Sequence, residues 1–262
     1  MRKYIEIFKS QLQLDAAYNG WFWANAVASV IGLLIAFSFW HAVYRHTAQI
    51  ANMNLPTMIS YVVIAMILGN YVSGVGNRLS ESIRSGEVAI ELMKPYDLLL
   101  KLIWLDLGSK VSASVRNSLP LLVIGYAFLG VLAPVSLASG ALFAVSAMLG
   151  VLIGTQFDLI IGVLAFWTVN IWGLRVLRGG ILSIFTGTLI PVTLFPAWLL
   201  HISEALPFQS MVYTPVAIYT GAIPLRTVGM TLLIQAAWLI GLYVLVRLIW
   251  SAALRKLVIF GG

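Results

Sequence analysis

The chain has 262 residues, is 61% hydrophobic and only 10% charged, and has a mean hydropathy of +0.97. Soluble domains carry about a quarter charged residues, so a water-facing shell around one core is excluded, and apolar runs of roughly 20 residues between charge clusters match helices that cross a bilayer. The net charge of +7 sits beside those runs, where basic residues set orientation and meet anionic lipid headgroups rather than nucleic acid.

Met1-Arg2-Lys3 is followed by mixed polar sequence, and the apolar run starts only near Gly20, so a cleaved signal peptide is not expected. Ile5, Phe8, Leu12 and Ala16 recur at three- and four-residue steps, with Lys3, Glu6, Lys9 and Gln13 elsewhere around the helix. The pattern predicts an amphipathic interfacial helix over residues 1–18, the plainer alternative being a frayed tail. A first span follows over Gly20–Ala42, with Trp21, Trp23 and Trp40 as interface anchors. The second covers Pro56–Val75, with Asn54 as cap and Pro56 in the first turn, where a missing N–H costs nothing.

Residues 77–98 open the one long polar stretch. Leu79 and Ile83 beside Arg78, Glu81 and Arg84 predict a short amphipathic helix ended by Ser85-Gly86. In a second short helix Glu87 and Glu91 lie early, Lys94 late and Pro95 beyond, matching the helix dipole. Val88 with Leu92, and Ala89 with Met93, add apolar contact at four-residue spacing. Such alternation suits docking against a protein; an interfacial helix resting on lipid is the alternative. Asp97 then caps a helix in which Asp106 and Lys110 stand at the i,i+4 distance.

A third span is predicted over Ser114–Ala133, and Pro134 with Gly140 forms an uncharged turn. The fourth covers Ala141–Thr168 and stops at Asn170, Trp172, Arg175 and Arg178, after which Gly179-Gly180 breaks the chain. Ile181–Leu200 is apolar enough for a fifth span, although Pro191 and Pro196 interrupt it. Residues 191–224 hold five of the nine prolines, and Phe208–Ile223 is short and proline-broken, so an outer re-entrant segment is expected. The last span covers Thr227–Trp250.

With six spans and both termini inside, every Lys and Arg except Arg45 and Arg226 faces the cytoplasm. A seventh span over Phe208–Ile223 would move Arg247, Arg255 and Lys256 outside, against the positive-inside bias. The expected fold is therefore an all-α integral membrane protein, one domain over 1–262 with six transmembrane helices.

Absence of cysteine excludes disulfides, thiolate metal sites and a cysteine nucleophile. His41, His46 and His201 are too scattered to hold a metal, and no paired carboxylates or nucleophile–base constellation marks an enzyme. There is no Gly-x-x-x-x-Gly-Lys-Ser/Thr loop to cradle ATP. Asp158 is the one carboxylate deep in a span, with Gln156 and Thr155 close by. An intramembrane charge costs roughly 2.5–3.5 kcal/mol on insertion scales, so Asp158 has either a cavity or subunit-interface role or a structural hydrogen bond. Asn70, Tyr71, Ser183, Thr186 and Thr188 either line a translocation path or bond their own backbone.

The stretch Ile83-Arg84-Ser85-Gly86-Glu87 through Leu92-Met93-Lys94-Pro95, with Phe195-Pro196, Pro207-Phe208 and Tyr213-Thr214-Pro215 later, resembles the permease subunits of ABC type-2 exporters. The similarity is strongest to the daunorubicin-exporter-like and uncharacterised permease branch, and covers essentially the whole chain. It implies a subunit of the bacterial inner membrane that pairs with a second permease, a heterodimer being favoured over a homodimer, and with two ATPase subunits that bind ATP and Mg. This chain then carries no cofactor. The resemblance places Arg84, Gly86, Glu87, Glu91 and Lys94 at the ATPase-coupling contact, and Pro196, Pro207 and Pro215 in an outer re-entrant gate. An ion-coupled secondary transporter of small amphipathic molecules is the alternative, with Asp158 as thin support.

Overall fold

The computed structural model describes residues 2–17, 20–72, 74–168 and 171–260. Among them regular structure is helical, apart from an isolated bridge between Ile50 and Met53. Asn170 and the side chains of Ala16, Trp21 and Trp23 lie outside the described residues.

Helix α1 (Arg2–Ala17) leads to α2 (Gly20–Val43), and a tight turn through Ala51 and Asn52, both at positive φ, reverses the chain. Asn54 accepts the Thr57 N–H at 3.0 Å, with Pro56 in the first turn of α3 (Leu55–Gly69). Apolar side chains cover every face of α3, and Met58, Tyr61, Ile64 and Ala65 are all buried, so it runs through the middle of the bundle. Beyond a break at residues 70–74 come α4 (Val75–Ser85) and α5 (Glu87–Leu92), joined at Gly86. Gly86 has φ +78°, the left-handed geometry that ends a helix most cheaply in glycine.

Helix α6 (Leu98–Ala113) is capped by Asp97, which accepts the Leu100 N–H. It passes through a wider π turn at Ser114–Ser118 into α7 (Leu119–Phe128). Pro120 lacks the N–H that the preceding turn needs, which accounts for the local widening. Helix α8 (Leu137–Val163), opened by a Ser136–Ser139 capping box, is the spine of the molecule and packs against α4. Its Gly150, Gly154 and Gly162 stand at four-residue multiples on one stripe. An added Cβ there would meet backbone of Met211, Val72 and Gly76 respectively, so small residues let main chain approach main chain.

The remaining helices are α9 (Trp172–Phe185), α10 (Ala197–Glu204), α11 (Tyr213–Tyr219) and α12 (Leu225–Phe260). Helices α11 and α12 both pack on α8. Three helical stretches among the described residues are long and apolar enough to cross a membrane: Ala26–Val43, Leu137–Phe166 and Leu225–Lys256; Leu55–Gly69 is apolar but shorter.

Three expectations change. Gly140 lies inside α8 rather than in the turn before it, because the Ser136 cap starts the helix earlier. Gly179-Gly180 does not break the chain: α9 runs through both, the cost of about 1 kcal/mol per helical glycine being tolerated. Ile181–Leu200 is not one helix, since α9 ends at Phe185 and a turn and a short 3-10 segment at Val192–Leu194 precede α10. Helix α1 packs on α6 with Tyr4 and Gln11 buried and Phe8 meeting Trp104 edge-on, while Ile5 of the same apolar stripe stays exposed. A Cβ at Gly108 of α6 would touch the Phe8 carbonyl and Gln11, so the helix pair closes over that glycine. Polar bonds, Arg78 to Gln11 at 3.2 Å and Arg116 to Asp15, fix the seat.

Candidate functional site

The α4–α5 hairpin stands at one end of the bundle. Leu79 is fully buried, and Val88 and Leu92 pack with Leu98 and Leu102 in the same apolar cluster, so one side of the hairpin is glued to α6 and α8. The other side is free: Arg84, Gly86, Glu87 and Lys94 are exposed. Ile90 and Met93, one helical turn apart, are 57% and 78% exposed. The four-residue spacing picks out Met93 but not Ile90.

Glu91 differs from the other four candidates, because it faces inward. Its two oxygens take Lys94 at 2.7 Å and Lys101 of α6 at 2.5 Å, and the Tyr96 hydroxyl donates at 2.6 Å. Partial burial raises this carboxyl, but the hydrogen bonds from Lys101, Lys94 and Tyr96 outweigh it and bring the pKa down to about 2. Glu91 also raises the pKa of Lys94 by its hydrogen bond. The base of the hairpin is pinned three ways at Asp97: its side chain caps α6, its other oxygen pairs with Arg247 of α12, and its N–H donates to the Tyr4 hydroxyl of α1 at 3.2 Å. Lys3 adds a bond to the Pro95 carbonyl at 2.7 Å. The base beneath the exposed tip is thus tied to α1, α6 and α12.

Asp158 is buried, and its Oδ2 accepts the N–H groups of Gly74 and Gly76 at 2.8 and 2.7 Å. Those are the first free donors of α4, so a carboxylate on α8 caps the helix that leads to the hairpin, where the helix dipole also favours an anion. Its Oδ1 pairs with Arg178 of α9. Asp158 thus makes structural hydrogen bonds within the chain. Thr155 does not join it; its hydroxyl bridges Asp106 at 2.7 Å and Lys110 at 2.9 Å, and the Asp106–Lys110 pair itself is buried at 2.6 Å. Gln156 is buried, and its Oε1 has no hydrogen-bond partner among the described residues.

Asn70, Ser183 and Thr186 do come together, lining a cavity of about 480 Å³ between α2, α3, α7 and α9. Gln156 and Asp158 are not in its wall, whereas Arg178 is. Ser183 and Thr186 also donate to the carbonyls of Gly180 and Leu182 in their own helix, so wall position and backbone bonding are not exclusive. Pro196 opens α10, Pro207 is buried, and Pro215 lies in the first turn of the buried α11. The Tyr219 hydroxyl of α11 donates to the Leu132 carbonyl at 2.8 Å, so this proline-rich segment packs beside the 129–136 loop.

Compared with known families, residues 30–261 match the one described as ABC-2 family transporter protein. A search of curated proteins finds no match.

Proposed function

We propose that this chain, which belongs to the ABC-2 family of transporter proteins, is the permease subunit of an ATP-driven exporter that moves amphipathic or hydrophobic compounds, drug-like or lipid-like, outward. Family membership makes it a multi-pass membrane transport component, and the long apolar helices agree with that. In this reading six segments cross the bacterial inner membrane, both termini are cytoplasmic, and the chain pairs with a second, non-identical permease. Two ATPase subunits bind ATP and Mg and dock on the α4–α5 hairpin. The proline-rich 191–224 region forms the outer gate, with Pro196, Pro207 and Pro215 at its turns.

The observation that carries the proposal is the hairpin: exposed apolar Ile90 and Met93 and exposed Arg84, Glu87 and Lys94, held on a base pinned to α1, α6 and α12. Exposed apolar side chains together with charged ones suit a protein interface. Ion-coupled transport has less support, because its one candidate carboxylate, Asp158, is held by Arg178 and two backbone N–H groups. The test is to purify the complex with its ATPase and reverse charges in the pair Glu87→Lys, Lys94→Glu. Loss of co-purification or of stimulated ATP hydrolysis is expected; unchanged assembly and hydrolysis overturn the coupling assignment.

A further inference from the structure

The cavity between α2, α3, α7 and α9 measures about 480 Å³, within the roughly 300–1,000 Å³ of small-molecule sites. Leu33, Val63 and Met66 make an apolar wall, while Asn70 and Thr188 mark its polar end at the C-terminus of α3. Among the described residues of the lining, Arg178 is the one formally charged group, and no carboxylate shares the wall.

Arg178 pairs with Oδ1 of Asp158. That carboxylate already takes two N–H bonds from the start of α4, so it stays satisfied if the guanidinium divides its donors with a second anion. Arg178 is a tenth exposed, and its Nε is buried with no hydrogen-bond partner among the described residues. Arg178 nevertheless lines the cavity, and a planar guanidinium fork fits a phosphate or carboxylate, which a point cation would hold less specifically.

We propose that this cavity receives a single-chain amphipath with an anionic phosphate or carboxylate head, the head on Arg178 and the chain along Leu33, Val63 and Met66. As a transport substrate this ligand rests on the permease reading above; as a bound ligand it does not. A cationic amphipath of the same length is rejected, because it meets Arg178 and no lining carboxylate.

The test uses the full chain in phosphatidylcholine nanodiscs, titrated calorimetrically with dodecyl phosphate, dodecyltrimethylammonium and inorganic phosphate, with empty nanodiscs subtracted. Dodecyl phosphate is expected to bind saturably and at least about tenfold tighter than the ammonium. Arg178→Gln is expected to abolish that preference and Arg178→Lys to keep it in part. Gly32→Leu fills the apolar wall from α2, where an added Cβ has only the flexible end of Met66 near it, and is expected to weaken alkyl phosphate binding by about tenfold. Equal affinity for both heads, or a preference untouched by Arg178→Gln, overturns the proposal. So does equally tight binding of inorganic phosphate alone, which marks a free-anion site. Should Arg178→Gln not fold, unchanged dodecyl phosphate binding in Gly32→Leu overturns it instead. Head selectivity without ATPase association would leave this site standing and remove the permease reading.

Discussion

Oδ2 of Asp158 lies 2.7 Å from the amide nitrogen of Gly76, which joins the spine helix α8 directly to the first turn of α4. The closeness has a steric side, because a Cβ at Gly76 would fall on the backbone carbonyl of Asp158, and one at Gly162 would fall on Gly76. Main-chain contact therefore links the start of α4 to α8, and the Asp158–Arg178 pair links both to the cavity wall.

Asp158→Ala uncaps α4 and leaves Arg178 buried without its counter-charge. Removing one partner of a buried pair costs about 3–5 kcal/mol, so a fall in Tm of the detergent-solubilised protein is expected, larger than for any exposed hairpin charge. In a double-mutant cycle, Asp158→Asn with Arg178→Gln should cost less than the sum of the single changes; simple additivity would mean the pair does not interact.

Gly76→Ala and Gly180→Ala are chemically the same change with opposite expected outcomes. At Gly76 the methyl meets backbone, where overpacking costs typically 1–3 kcal/mol or more. Gly180 has open space around its Cβ direction inside α9, so alanine should stabilise by up to about 1 kcal/mol. Thermal unfolding of the two variants checks the contrast.

The Glu91 cluster sets a pH response of the hairpin. Its carboxyl is lowered from 4.5 to about 2 in the folded protein, so the stabilising contribution is whole above pH 4.5 and is lost as pH falls toward 2. Limited proteolysis between Gly86 and Asp97 should accelerate across that window. Glu91→Gln should cut faster at neutral pH and lose the acid-side change; an unaltered pH profile would contradict the ion-pair assignment.

Ile90→Asp and Met93→Asp place charge on side chains that are already exposed, so Tm should hold within about 0.5 kcal/mol equivalent. If these residues anchor the ATPase, each variant should weaken co-purification by about tenfold or more, as buried interface anchors do. Undiminished binding would move the interface elsewhere.

Sequence alone determined the membrane character, the helical class, the Asn54 and Asp97 caps and the Gly86 break. Each depends on composition or on residues within about one helical turn of one another, and local chemistry is written locally. Tertiary structure decided the rest. The role of Asp158 waited on Arg178 and on Gly74 and Gly76, 82 or more residues away from it in the case of the glycines. Glu91 turned inward because Lys101 stood ready on the next helix. Even within the apolar stripe of α1, Phe8 meets α6 over Gly108 while Ile5 stays exposed. Hydrophobic periodicity ranks faces by their affinity for any apolar surroundings, lipid or protein. Which face meets a neighbour is settled by shape and paired charge, and those exist only once the helices are assembled.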